Sequence, residues 1–340
     1  MRTLTIKDIA NMAGVSPTVV SFVINNKKGV SKATREKVLS VIERTNYTPS
    51  ISSRRLIMKK SFNIGIIVVN DSSPFTNLFY YEIAQSILNR SKMYGYNMVF
   101  TDIQRSSHRI KLPSIIENKD TDGIIFFQDT SYQTLKEIEN RGIPCVVIDA
   151  HPGKDLYSMV IADYEHAAVT AMQHLAKMRH RKIAFICSSF LPNFYTQVFN
   201  GFRMVMSQNR LPINSGWIQM DAVDEKSASV CMARILDSGD IPTAVFCATD
   251  VFAIGAMKCA KARGYRVPED ISFIGIDDVL LAQYVEPALT TVRIDKAEMG
   301  NMAMDMVIQR INGKAPECIK LRSDDLIIRD SVISREQADG

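Results

Sequence analysis

Two textures of hydrophobic spacing divide the chain. Over residues 5–45 the apolar positions recur three and four apart: Ile6, Ile9, Ala10 and Ala13, then Val19, Val20, Val23 and Ile24, then Val38, Leu39, Val41 and Ile42. That period predicts three short amphipathic helices, the second leaving Thr18, Ser21, Phe22 and Asn25 more exposed. Gly14 separates the first two and admits the left-handed backbone of a tight turn. Ser16 is a good N-cap, and Pro17 behind it stands where a missing N–H costs nothing. Ser31 caps the third helix, with Glu36 as its reciprocal capping partner or a first-turn charge. Small Ala10 and Gly14 let two helices meet at a steep angle. This is the build of a helix-turn-helix whose second helix can enter a DNA major groove. An ordinary helical hairpin at a domain edge has the same spacing.

From Phe62 onward, apolar runs of strand length alternate with helical patterns. The strands predicted are Ile64–Val69, Met98–Asp102, Gly123–Phe127, Cys145–Asp149, Met159–Ala162, Lys182–Ser188, Ala244–Ala248 and Ile271–Ile276. Helices are expected near Leu78–Tyr94, Glu165–Met178, Thr196–Gln208, Ser227–Leu236, Asp250–Arg263 and Lys296–Ile311. Near-continuous apolar strands separated by helices mean an α/β body with parallel sheets covered on both faces. The set divides at about residue 160, which predicts two similar lobes. Leu289–Arg293 and a strand near Leu326–Arg329 are expected to cross back between them. Ligands of such sheets lie beyond the carboxyl ends of the strands. Those ends are Asn70–Thr76, Phe127–Thr130, Asp149–His151, Ser188–Asn193, Thr249–Asp250 and Asp277–Asp278.

Charge separates the same two regions. Residues 1–60 carry twelve Lys/Arg against three acids, whereas residues 61–340 carry 29 against 33. A compact module of net +9 on a mildly acidic body reads as a footprint for phosphate. Between them, Ser50–Lys60 is short, basic and serine-rich, and composition alone makes it a linker or a frayed helix. No apolar run reaches a membrane span, and Lys7, Asp8 and Asn11 interrupt any signal-peptide core. A cytoplasmic protein is expected. Six cysteines are scattered without metal or disulfide spacing, so free buried thiols are expected and no cofactor or metal. G-x-G-x-x-G, P-loop, G-x-S-x-G and H-E-x-x-H motifs are absent. That disfavours an enzyme without excluding one assembled in three dimensions. A plain solute-binding protein would suit the body but leaves the basic head unexplained.

Thr5-Ile-Lys-Asp-Ile-Ala, Ala13-Gly-Val-Ser, Val20-Ser21, Val23-Ile24-Asn25, Val30-Ser-Lys-Ala-Thr-Arg-Glu-Lys-Val and Asn46-Tyr-Thr-Pro together resemble the N-terminus of LacI/GalR-family transcriptional regulators. The resemblance continues in order through Ile64-Gly-Ile-Ile-Val, Asp122-Gly-Ile-Ile, His180-Arg-Lys-Ile-Ala, Gly201-Phe202, Val267-Pro-Glu-Asp-Ile-Ser, Gly275-Ile-Asp-Asp and Pro287-Ala-Leu-Thr-Thr-Val. It implies a headpiece over 1–48, a hinge over 49–60 and an effector-binding, dimerising body over 61–340. That body would be two-lobed and similar to periplasmic sugar-binding proteins, with an N-lobe of about 61–161 and 292–321 and a C-lobe of about 162–291 and 322–340. A homodimer on a pseudo-palindromic double-stranded operator follows, with a sugar or other small metabolite between the lobes. The chain ends without a further leucine heptad, so a dimer is expected rather than a tetramer.

The same resemblance implies the site residues. Pro17, Thr18 and Phe22 stand where the family reads bases. Ser16, Ser21, Asn25 and the Lys27-Lys28 loop are candidate phosphate contacts, Thr5 is a further DNA-binding candidate, and Arg54 and Leu56 stand in the hinge, Leu56 as a minor-groove wedge. Phe22 can touch a thymine methyl but cannot pair with guanine, so the operator should differ from the common family site. The effector candidates are Phe75, Thr76, Asp149, Val198, Thr249 and Asp277. Val198 replaces the arginine that relatives carry before the Gly-Phe pair, Thr249 replaces an asparagine, and Thr76 replaces a stacking ring. For Phe75, Asp149, Thr249 and Asp277 the alternative is a loop or strand-end residue doing local capping. Trp217 is read as a packing residue.

Overall fold

The structure, a computed structural model, describes residues 4–24, 27–47, 55, 58, 60–69, 77–103, 112–127, 132–149, 157–189 and 192–335. It falls into two compact units, 1–62 and 63–340. In the first, helices α1 (Ile6–Ala13), α2 (Pro17–Ile24) and α3 (Lys32–Thr45) enclose Ile9, Ala10, Ala13, Val20, Val23, Val38, Val41 and Tyr47. Thr5 and Asp8 form a reciprocal capping box at the start of α1, and Gly14 closes it at φ 62°. Asn46 closes α3 in the same left-handed conformation.

Two sequence expectations fail here. Leu39 is 48% exposed, because the α3 positions facing the other helices are Val38 and Val41. Ser31 caps Thr34, three residues on, so Glu36 lies past the first turn and cannot return the bond.

The second unit holds two six-stranded sheets. The first contains β1 (Asn63–Val69), β2 (Asn97–Ile103), β3 (Gly123–Phe127), β4 (Cys145–Ile148) and β5 (Ser158–Ala162), with helices α4 (Leu78–Tyr94), α5 (Ser114–Glu117) and α6 (Tyr132–Asn140) between them. After α7 (Tyr164–Lys177) comes the second sheet. Its strands are β6 (Ile183–Ile186), β7 (Ile218–Gln219), β8 (Ala244–Cys247), β9 (Ser272–Asp277) and β10 (Thr290–Arg293). Helices α8 (Pro192–Gln208), α9 (Glu225–Asp237) and α10 (Asp250–Ala262) connect them. The chain then returns: α11 (Lys296–Ile311) packs on α4 and the first sheet, and β11 (Cys318–Leu321) joins that sheet beside β5. Last, β12 (Asp325–Ile327) pairs antiparallel with β10.

All other pairings between the named strands are parallel, as apolar strands covered on both faces require. β10 stays in the second sheet through Arg293, so the return crossing follows it rather than falling at 292. Helices α5 and α6 and strands β7 and β11 were not predicted. The first two are short, and β11 alternates exposed and half-buried residues at a sheet edge. Cys318 is exposed, contrary to expectation, while the other five thiols are buried and free. Trp217 is buried, its indole N–H donating to the Asp240 carbonyl at 2.8 Å. No helix among the described residues is long and apolar enough to cross a membrane.

Candidate functional site

In the first unit the N-terminal turn of α2 is the open surface. Ser16, Pro17 and Thr18 are exposed, and Ser16 Oγ accepts the Val19 N–H at 3.3 Å. Ser21 and Phe22 are half-buried one turn on. The Phe22 ring lies under the Lys27 ammonium, 5.7 Å from its centroid, which ties the middle of α2 to the basic loop carrying exposed Lys28. Arg35 on α3 donates to the carbonyls of Lys27 at 2.7 Å and Val23 at 3.4 Å. A cation thus satisfies carbonyls at the C-terminal end of α2 and fixes that helix. Sequence reasoning passed over Arg35, although its charge one helix later was the available signal. Thr5 is occupied by its cap, its N–H and hydroxyl both donating to Asp8 Oδ2. Asn25, Arg54 and Leu56 lie outside the described residues.

In the second unit, acidic side chains from both sheets gather at the carboxyl ends of the strands. Asp149 follows β4 at φ 84° and Asp277 ends β9 at φ 122°, left-handed conformations that cost free energy in a non-glycine residue. The Tyr80 hydroxyl, from α4, donates to Asp149 Oδ2 at 3.0 Å. Tyr164, which opens α7 after the crossing, lies within electrostatic reach of the same carboxylate. Asp149 is therefore bonded by a tyrosine of the first lobe and lies near one of the second. Burial first, then the Asp149 and Asp277 charges, push the Tyr164 phenol well up.

Asp277 is 5% exposed. Burial, reinforced by Asp250, pushes its carboxyl well up, with Asp149 and Glu82 adding to the effect and Lys296 opposing it. Asp250 is fully buried, its two oxygens accepting from the Thr291 hydroxyl at 2.5 Å and the Val279 N–H at 2.9 Å. Burial carries its carboxyl up to about 7. These bonds fix the turn that follows Asp277. Lys296 is buried too, and its ammonium donates to the carbonyls of Asp277, Asp278 and Ile294 and pairs with Glu82 of α4 at 3.5 Å.

The structure thus brings Asp149 and Asp277 together with Asp250, which the sequence placed at a strand end, and with Tyr80, Tyr164, Glu82 and Lys296, which sequence reasoning did not name as site residues. Thr249 caps α10, its Oγ1 accepting the Phe252 N–H at 3.3 Å, the local role left open as its alternative. Val198 is fully buried in α8. Its neighbour Gly201 marks the contact with α7, where an added methyl would lie 2.6 Å from the Glu165 carbonyl. Phe75 and Thr76 lie outside the described residues. No group of acidic, histidine or cysteine side chains among the described residues could hold a metal ion.

Residues 5–50 match the model of bacterial regulatory proteins of the lacI family, and residues 172–332 a periplasmic binding protein-like domain. The chain is 34% identical over 341 residues to the HTH-type transcriptional repressor PurR of Haemophilus influenzae strain PittEE, covering 97% of this chain and 99% of that protein. It is 33% identical over 337 residues to PurR of Pasteurella multocida strain Pm70, covering 97% and 99%. Among solved structures, the lac repressor dimer bound to operator and the anti-inducer ONPF aligns with TM-score 0.82 at 24% identity, over 98% of this chain and 100% of that one. The CelR–cellobiose complex aligns with TM-score 0.71 at 25% identity, over 96% and 99%. A basic three-helix unit and a two-sheet body in one unbroken match have one explanation: the chain belongs to the LacI family of bacterial regulatory proteins and is a DNA-binding transcriptional regulator.

Proposed function

We propose that the chain is a homodimeric repressor, acting in the cytoplasm on a pseudo-palindromic operator, whose DNA affinity is set by a small effector. In this reading 1–48 is the headpiece, 49–60 the hinge and 61–340 the effector and dimer body. The observation that carries the DNA part is the exposed Ser16-Pro17-Thr18 turn of α2 on a module of net charge +9. Pro17, Thr18 and Phe22 read base edges. Thr5, Ser16, Ser21, Asn25, Lys28 and Arg54 position the backbone, and Leu56 wedges the minor groove. Asp149, Thr249 and Asp277 hold the effector with Phe75 and Thr76, while Val198 supplies only a packing surface.

The lac repressor structure is of a dimer on operator. The same arrangement here is supported by the exposed Tyr81, Leu88 and Met93 on α4 and Phe100 on the edge strand β2, apolar surface that a partner would cover. The relatives are repressors rather than enzymes, and we extend that to this chain. The test is selection of bound DNA from a random pool by the full-length protein. An enriched palindrome of roughly one and a half turns is the expected result. Salt-sensitive binding without sequence preference would refute the reading.

A further inference from the structure

We propose that Lys27, in the loop after α2, reads a base as one unit with Phe22, selecting a guanine next to the thymine whose methyl Phe22 touches. The inference rests on the operator reading above and deepens it. Lys27 is exposed, and charge alone would make it a phosphate contact like Lys28. Its anchoring sets it apart. The Lys27 N–H donates to the Phe22 carbonyl at 2.9 Å, and the Lys27 carbonyl accepts from Arg35 at 2.7 Å. Arg35 also donates to the Val23 carbonyl at 3.4 Å. Lys27 is therefore fastened beside the last turn of α2 through both of its backbone polar groups, with Arg35 as its positioning residue.

From that anchor the side chain turns back over α2. Its ammonium stands above the Phe22 ring, 5.7 Å from the centroid, where the ring face attracts the charge and takes up the aliphatic stem. Gly29 lets the loop pass beside the ring: it adopts φ 103°, and a methyl there would lie 4.0 Å from Phe22 Cε2. Thr18 and Phe22 are four residues apart and so share one face of the helix. A major groove that receives that face receives the Lys27 ammonium with it. Successive bases along a strand are about 3.4 Å apart. A cation 5.7 Å from the ring centre is therefore within reach of the base pair beside the one the ring touches. Guanine offers it two acceptors, O6 and N7, whereas adenine and cytosine each place an amino donor there. The apolar ring and the adjacent cation thus match a thymine methyl beside a guanine.

Selection of bound DNA from a random pool, by the full-length wild type and by Lys27→Met, tests this. Methionine keeps a stem over the ring and removes the charge. The wild type should enrich half-sites with a thymine and a guanine in neighbouring base pairs. Lys27→Met should lose roughly fivefold or more of the preference for that guanine and keep the remaining positions. Phe22→Leu keeps an apolar contact without a ring face, so it should weaken the same guanine preference although Lys27 is intact, thermal melting verifying that the variant folds. Lys28→Met is the comparison: it should bind all sequences more weakly alike, with a salt slope lower by about one. Lys27→Met behaving in that uniform way would overturn the proposal. So would an unchanged guanine preference in either variant, or a palindrome without the neighbouring thymine and guanine, each leaving the operator reading intact. A wild type that enriches no palindrome would remove the operator reading, and this inference with it.

Discussion

His180 is 1% exposed and has both ring nitrogens engaged, Nδ1 with Thr243 Oγ1 and Nε2 with the Ile333 carbonyl, each at 3.0 Å. It thereby ties the start of β6 to the C-terminal segment. Burial outweighs the Ile333 bond and pulls the imidazole down to about 4, so the folded protein keeps it neutral where the unfolded chain would be protonated. The unfolded state therefore binds more protons between about pH 6.5 and 4, and stability from this residue falls as pH falls through that window. The loss reaches about 3 kcal/mol. Urea melts at pH 7 and pH 4.5 should show the wild type's advantage over His180→Asn narrowing at the lower pH. A smaller effect belongs to Thr5, whose replacement by alanine should cost about 1 kcal/mol of headpiece stability, read by thermal melting of the first transition. Both residues were visible in the sequence, but only Thr5 could be understood there. Its capping partner Asp8 is three residues away, whereas the partners of His180 are 63 and 153 residues away.

Among the elements, close helix contacts explain glycines that had only a family motif behind them. Gly201 lets α8 meet α7, with Ala168 Cβ only 2.7 Å from where a methyl would sit. Gly201→Ala should therefore cost about 1–3 kcal/mol through overpacking, measured by urea unfolding of the body. The strands running through both sheets were legible because four or five consecutive apolar residues leave few alternatives. Helix α8 begins at Pro192 rather than near Thr196. Helix α6 was missed although Leu135 and Ile138 mark its buried side. The edge strands β7 and β11 carry no such run, and which sheet each joins depends on neighbours far along the chain.

For the whole molecule, the uneven charge makes a direct prediction. The affinity of the full-length protein for non-specific duplex DNA should fall steeply and log-linearly with salt. The fragment 63–340, a compact unit in its own right with an excess of acids, should lose DNA binding altogether, as a mobility-shift titration would show. Effector coupling of roughly 1–3 kcal/mol would change operator affinity about 5–150-fold. The coupling has a structural route, since Lys296 joins Glu82 of α4 to the turn after β9, and Asp149, bonded by Tyr80, lies within electrostatic reach of Tyr164 and Asp277. A ligand that takes up any of these bonds changes how the lobes are tied.

The order of amino acids by itself determined the three headpiece helices, the central strands and the contrast between a basic head and an acidic body. Each of these is written in side-chain period, capping residues or local charge, and depends on residues within a few positions of one another. Only the tertiary structure decided that β10 stays with the second sheet while β11 returns to the first. It also decided that Tyr80 and Tyr164 both come near Asp149, that Lys296 is consumed by carbonyls, and that Asp277 is buried within reach of Asp250, Asp149 and Lys296. Those facts follow from contacts between segments far apart in the chain, as between Lys296 and Glu82. Local periodicity can say which face of an element is buried, but not which distant face it is buried against.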